Sequence, residues 1–241
     1  MKKLLSCLIL SGSVALTACQ SDDSSADKEI NLDTLEKKVS YTIGVSVAEN
    51  VRIDKFDFDS AAFNLAVADV KAGKESRLSE DEMRATMQSF QAMQREILTQ
   101  EREEQAEKNR AEGEAFLAAK AQEEGVIKTD SGLMYKVITA GTGATPKATD
   151  TVVAHYAGTL IDGTEFDSSY KRGNPATFGV SNLIPGWVEA LQIMPVGSKW
   201  ELYIPGDLAY GPRGNQGIPP SATLIFELEL LDIVAEESDE D

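Results

Sequence analysis

The chain has 241 residues, 42% hydrophobic and 26% charged, which suffices for one large packed domain or two ordinary ones. Forty acids against 23 bases leave a net charge of −17, and this argues against DNA or RNA as a partner, because phosphate neutralisation needs clustered Lys and Arg. One histidine and two cysteines make a multi-ligand zinc site or a Cys/His nucleophile pair hard to assemble.

Lys2 and Lys3 precede a mostly apolar stretch, Leu4 to Leu16, which is interrupted by Ser6, Gly12 and Ser13 and is too short to span a bilayer comfortably. This is the pattern of an export signal, assigned to residues 1–18. Leu16-Thr17-Ala18-Cys19 resembles the bacterial lipobox. The resemblance implies that Cys19 is acylated and becomes the mature N-terminus, with the membrane touched through lipid alone. Gln20, where an aspartate would retain a lipoprotein in the inner membrane, implies the outer membrane, facing the periplasm or the cell surface. The alternative is ordinary cleavage near Ala18, leaving Cys19 as a free thiol. Cys7 leaves with the signal in either case, so the mature body keeps no cysteine pair for a disulfide. Residues 19–28 are small and polar and read as a flexible tether.

Residues 29–126 read as helical. Leu32, Leu35, Val39, Ile43 and Val47 step by three or four onto one face, with Asp33 the expected N-cap. A second helix is expected from Ser60, with Phe63, Ala66, Val67 and Val70 inside and Gly73 as its stop. Ser79-Glu80-Asp81-Glu82 reads as a capping box that opens a third helix, along which Met83, Met87, Phe90, Met93 and Ile97 follow at heptad-like spacing. Residues 99–114 carry no large apolar side chain but strong helix formers, with pairs such as Glu104 and Lys108 at i, i+4. They read as a solvated helical spacer whose weakest point is Gly113. A helix from Glu80 to Glu124 would be about 67 Å long. Three helices with narrow apolar stripes make a thin core, and the simplest remedy is a second copy of the chain, hence a homodimer. A monomeric helical bundle is the alternative.

From Ser131 the apolar period changes from 3.6 to 2. Expected strands are Leu133–Thr139, Thr151–Gly158, Thr164–Asp167, Lys199–Ile204 and Thr223–Ile233. Turns are marked by Gly141-Thr142-Gly143, Asp162-Gly163, Arg172-Gly173-Asn174-Pro175 and Pro205-Gly206-Asp207. Phe226, Leu228 and Leu230 should face the core and Glu227 and Glu229 the solvent. One short helix, Trp187 to Ile193, should cross the dry face through Trp187, Ala190 and Leu191. His155, alone on a strand, reads as structural. The tail 235–241 is acidic and reads as a solvated end. The fold class is therefore α+β.

Five motifs occur in order: His155-Tyr156-Ala157-Gly158, Asp162-Gly163-Thr164-Glu165-Phe166-Asp167-Ser168-Ser169, Leu183-Ile184-Pro185-Gly186-Trp187, Ala209-Tyr210-Gly211, and Ile218-Pro219-Pro220-Ser221-Ala222-Thr223-Leu224-Ile225-Phe226. Together they resemble the FKBP-type peptidyl-prolyl cis-trans isomerases over residues 127–234. The preceding half, with Gly113-Glu114-Ala115-Phe116-Leu117 and Ser131-Gly132-Leu133-Met134-Tyr135-Lys136-Val137, resembles the macrophage infectivity potentiator type, a bacterial envelope protein whose N-terminal helices dimerise.

The resemblance implies a twisted antiparallel sheet wrapped around one short helix, with the active pocket between them. It makes Tyr156, Phe166, Phe178, Trp187 and Phe226 an apolar well for a proline ring, with Trp187 its floor, Leu183, Ile184 and Ile218 completing the wall, and Asp167 and Tyr210 the polar members. The Tyr210 hydroxyl and the Ile184 backbone N–H would hold substrate carbonyls, while Asp167 would act through its hydrogen bonds or its field, not as a general base. Rotation about X-Pro breaks no bond, so the reaction requires no metal, nucleophile or cofactor. Implied partners are proline-containing unfolded or exported proteins, and macrolide inhibitors in the same well. Ala176 stands where some members carry an aromatic, and the flap 211–217 is shorter than in eukaryotic relatives, so both bear on sequence preference and macrolide affinity. The competing reading is a holdase chaperone with incidental isomerase activity.

Overall fold

The computed structural model describes residues 31–234. The export signal, Cys19, the tether and the acidic tail lie outside the described residues. The chain forms two compact units that divide between Lys74 and Glu75.

The first unit carries helices α1 (Leu35–Val51) and α2 (Ser60–Lys71). Thr34, not Asp33, caps α1: its hydroxyl accepts the Lys37 N–H at 3.4 Å. Asp33 lies one residue too early and pairs instead with Lys37 Nζ at 2.9 Å. Asp59 caps α2 by accepting the N–H groups of Ala61 and Ala62 at 2.8 and 2.9 Å. Gly73 takes the left-handed conformation just past its end. The apolar face of α1 is present, yet Leu35, Val39 and Ile43 are 71%, 47% and 58% exposed in the single chain. Phe63, Val67 and Val70, expected inside, are exposed as well. The helical period placed these residues on one face, but periodicity does not supply what covers a face.

The second unit opens with α3 (Glu80–Lys120), 41 residues and about 61 Å long. The expected capping box is formed: Ser79 N–H donates to Glu82 Oε2 at 2.8 Å and Glu82 N–H to Ser79 Oγ at 3.3 Å. The stretch read as a solvated spacer does bury a face. Ala106, Gly113 and Leu117 are buried, and they share one side of the helix. Within 99–114 that face is built from the small residues Ala106 and Gly113, so a search for large apolar side chains passes over it, and Leu117 continues it one turn further on.

Seven strands follow: β1 (Val126–Lys128), β2 (Met134–Thr139), β3 (Thr151–Leu160), β4 (Glu165–Ser168), β5 (Ala176–Gly179), β6 (Lys199–Ile204) and β7 (Leu224–Val234). Two helices interrupt them, α4 (Ser169–Arg172) and α5 (Pro185–Leu191). All pairings are antiparallel, in the order β1-β2-β6-β7-β3-β4, with β5 sharing the β4 edge of β3. The short strands β1 and β5 and the single-turn helix α4 have no counterpart in the sequence reading, because elements this short carry little period of their own; β4, equally short, is legible because the Asp162-Gly163 turn ties it to β3 as a hairpin. In β7 the alternation holds: Leu224, Phe226, Leu228 and Leu230 are buried between more accessible neighbours. Pro185 starts α5 where its missing N–H costs nothing, and Trp187, Ala190 and Leu191 are buried against the sheet.

The core of this body joins Leu133, Val152, Ala154, Trp200, Leu202 and Ile204 to those residues of α5 and β7. A smaller cluster ties α3 to it: Leu117 packs with Met134 and Tyr203, and Phe116 meets the Tyr203 ring edge-on at 6.1 Å. The last turns of α3 and Val126 thus belong to the β body, which begins before the expected boundary at residue 127.

Candidate active site

Each wall of the site follows from a local rule. Strand alternation turns Tyr156 of β3 and Phe226 of β7 to the inner face, while β4 brings Phe166 and Asp167 and β5 brings Phe178. The turn before α5 carries Leu183 and Ile184, and the first turn of α5 carries Trp187. The connection from β6 to β7 supplies Tyr210 and Ile218. These ten residues line one cavity of about 400 Å³. Nine of them stand in the five sequence motifs, and Phe178 is the one that the family resemblance alone supplied.

The aromatic side chains meet edge to face. Trp187 lies 5.2 Å from Phe226, 5.4 Å from Tyr156 and 5.8 Å from Phe178, at interplanar angles of 82–85°. Phe166 meets Phe226 at 5.5 Å and 84°. Such contacts match ring edges to ring faces and hold the rings without closing the space between them. Gly158 of β3 makes room for two of them: a Cβ there would lie 2.6 Å from Phe166 Cζ and 2.6 Å from Phe226 Cε1.

At one side the apolar wall meets a charged network. Tyr156 Oη donates to Asp167 Oδ2 at 2.6 Å, Arg172 Nη2 donates to Tyr156 Oη at 2.7 Å, and Arg172 Nη1 pairs with Asp167 Oδ1. Partial burial pulls the Asp167 carboxyl upward, but the hydrogen bonds from Tyr156 and Arg172, with the Arg172 charge, outweigh it and leave its pKa below the ordinary value. Burial and the neighbouring carboxylate push the Tyr156 phenol up. Asp167 is therefore a carboxylate with a partner on each oxygen, its charge held by Tyr156 and Arg172. Among the described residues, neither the Tyr210 hydroxyl nor the Ile184 N–H meets an acceptor, which leaves two donors at the cavity for a ligand's carbonyls.

Arg172, Asn182, Asn215 and Gln216 were not anticipated. The last three line the cavity, and Arg172 completes the network behind it. Arg172 stands five residues after Asp167, at the end of α4, where Gly173, Asn174 and Pro175 mark a turn in the sequence. Ala176 packs against the core and is not among the lining residues. His155 faces away from the cavity, with Nδ1 2.9 Å from Ser169 Oγ and its ring stacked on Tyr170 at 4.7 Å.

The sequence profile of the FKBP-type peptidyl-prolyl cis-trans isomerases matches residues 143–231. The profile of the domain that precedes such isomerases matches residues 36–137. Among curated relatives, the outer membrane protein MIP of Legionella longbeachae is 45% identical over 84% of this chain and 88% of its own. The FKBP-type peptidyl-prolyl cis-trans isomerase FkpA of Aeromonas hydrophila is 39% identical over 98% of this chain and 96% of its own. The crystal structure of FkpA from Escherichia coli superposes with a TM-score of 0.70 at 40% identity, covering 83% of this chain and 97% of that one.

Proposed function

The chain belongs to the FKBP-type peptidyl-prolyl cis-trans isomerases, and we propose that it accelerates X-Pro isomerisation in unfolded exported proteins, using the cavity walled by Tyr156, Phe166, Trp187 and Phe226. The observation that carries this assignment of the site is the pairing of an aromatic well with two unengaged donors, in a cavity whose carboxylate is already held by Tyr156 and Arg172.

The barrier to be lowered is the amide resonance of the X-Pro bond, about 18–20 kcal/mol, and uncatalysed exchange takes tens to hundreds of seconds. As the bond twists, double-bond character and the amide dipole fall. A water-excluding well therefore receives the twisted imide more readily than the planar, hydrated one. The prolyl ring sits over Trp187 between Tyr156, Phe178 and Phe226. Ile184 N–H and Tyr210 Oη hold carbonyls on one side of the bond, so that the two halves can rotate against each other. Asp167 acts without transferring a proton. It fixes the Tyr156 ring through the 2.6 Å bond and sets a negative field beside the rotating carbonyl.

The exposed apolar faces of α1 and α2 support a homodimer built through these helices. Residues 1–18 are removed on export, and lipid on Cys19 anchors the chain in the outer membrane. No helix among the described residues is long and apolar enough to cross a membrane. The same exposed faces favour one second reading, a holdase in which isomerisation is incidental. Refolding two clients separates the two: one limited by proline isomerisation, the other with trans prolines only. Acceleration confined to the first supports the isomerase, and equal benefit to both supports the holdase.

A further inference from the structure

Tyr210, Asn215, Gln216 and Ile218 all reach the cavity from the one connection between β6 and β7, and α3 holds the far end of that connection. Asn109 Nδ2 donates to the Pro220 carbonyl oxygen at 2.7 Å across 111 residues of sequence. The other end of that amide is also taken, because Gln105 Nε2 donates to Asn109 Oδ1 at 2.7 Å. Turning the amide over would forfeit both bonds, so its donor is aimed at the loop. One turn further along the same face, Gly113 lies so close to the loop that a Cβ there would be 2.2 Å from Thr223 Oγ1.

Between these two contacts the loop is strained. Ser221 is 3% exposed and has φ of 53°, a left-handed conformation that serine keeps only where its surroundings over-determine it. Its N–H donates to the Gly211 carbonyl at 2.8 Å, directly after Tyr210. Asn215 N–H donates to the Ile218 carbonyl at 3.0 Å. The loop has no strand partner beyond that one bridge. A displacement of Pro220 therefore passes to Ile218 along the chain and to Tyr210 through Ser221 and Gly211.

We propose that Asn109 and Gly113 are positioning residues of the isomerase: they seat the 218–223 end of the substrate loop on α3 and so set the place of Ile218 and of the Tyr210 hydroxyl. The proposal rests on the isomerase reading above. It makes the helix that reads as a spacer a brace for the pocket wall, and it gives Gly113 a steric reason in place of a flexible one.

The test uses the full chain in three variants. Asn109→Asp keeps the shape and removes the donor, Gly113→Ala puts a methyl group against Thr223, and Gly113→Ala with Thr223→Ala removes the clashing hydroxyl. Two readouts are taken, kcat and KM on a Leu-Pro tetrapeptide and amide hydrogen exchange by peptide segment. For both single variants KM should rise about three- to tenfold, the range that one neutral hydrogen bond commands, with kcat near wild type. Exchange should accelerate in 211–218 while β3 and β7 stay protected. The double variant should return both readouts toward wild type. Wild-type exchange of 211–218 in both single variants would overturn the brace. So would acceleration spread evenly over the sheet, which would mark a merely structural role. An inactive wild-type chain would instead overturn the isomerase reading, and loop exchange would still decide the brace.

Discussion

The Tyr156 hydroxyl donates to Asp167 Oδ2 at 2.6 Å, so a ring of the apolar wall and the one carboxylate of the cavity are held as a single piece. Arg172 completes it from outside, reaching both partners. The consequence is geometric: the carboxylate and the ring cannot shift independently of each other.

That arrangement has a pH signature. The folded pKa of Asp167 is depressed, so the stability it contributes is present above the unfolded carboxyl value of about 3.9 and is lost as pH falls through the folded value. Arg172→Met should raise the Asp167 pKa and move that loss to higher pH. Carbon-13 NMR of the Asp167 carboxyl measures both. A wild-type carboxyl titrating at or above the ordinary value would contradict the network.

Gly158→Ala should damage the site from behind. The added methyl group meets Phe166 and Phe226 at 2.6 Å, and overpacking of this kind costs about 1–3 kcal/mol. Trp187→Ala acts in the opposite sense, emptying the floor at about 3–5 kcal/mol. Thermal unfolding and peptide activity should fall together in both. A Gly158→Ala chain with unchanged stability and rate would mean that the two rings are free to move.

Truncation should separate mass from catalysis. A chain beginning near residue 103 keeps Asn109, Gly113 and Leu117, and should isomerise a short peptide at near full rate as a single copy where the longer chain is a dimer, by light scattering. A chain beginning at residue 127 loses Val126 and uncovers Met134 and Tyr203, and should be less stable by about 2–5 kcal/mol. An equal number of copies before and after removal of α1 and α2 would rule out dimerisation through them.

Cys19→Ser should release the protein from membranes or block its processing. Fatty-acid labelling that persists in the Ser variant would refute the anchor.

Most of the site was legible because its residues fall into contiguous motifs, so that Phe166 with Asp167, or Ile184 with Trp187, announce themselves together. Five strands were visible for a related reason: β7 alternates over eleven residues. What escaped was short or small. Strand β5 has four residues and α4 a single turn, and neither has the adjoining hairpin turn that made the equally short β4 legible. Arg172 acts by reaching back to Asp167, five positions earlier in the sequence, which no hydropathy pattern encodes. The buried face of α3 escaped because Ala106 and Gly113 contribute by the absence of bulk. In α1 and α2 the reverse occurred: the apolar faces were plain in the sequence, while their exposure in the single chain was not.

The most direct measurement is the exchange between cis and trans signals of a Leu-Pro tetrapeptide, followed by NMR. The protein added would be the wild-type chain, the Tyr210→Phe chain, or a chain combining Asp167→Ala, Tyr210→Ala and Phe226→Ala. Wild type should shorten an exchange that otherwise takes tens to hundreds of seconds. Tyr210→Phe should slow catalysis by about two- to tenfold, the loss of one hydrogen bond, and the triple variant should return the peptide to its uncatalysed rate. A folded triple variant that still catalyses exchange would place the site elsewhere and contradict the account.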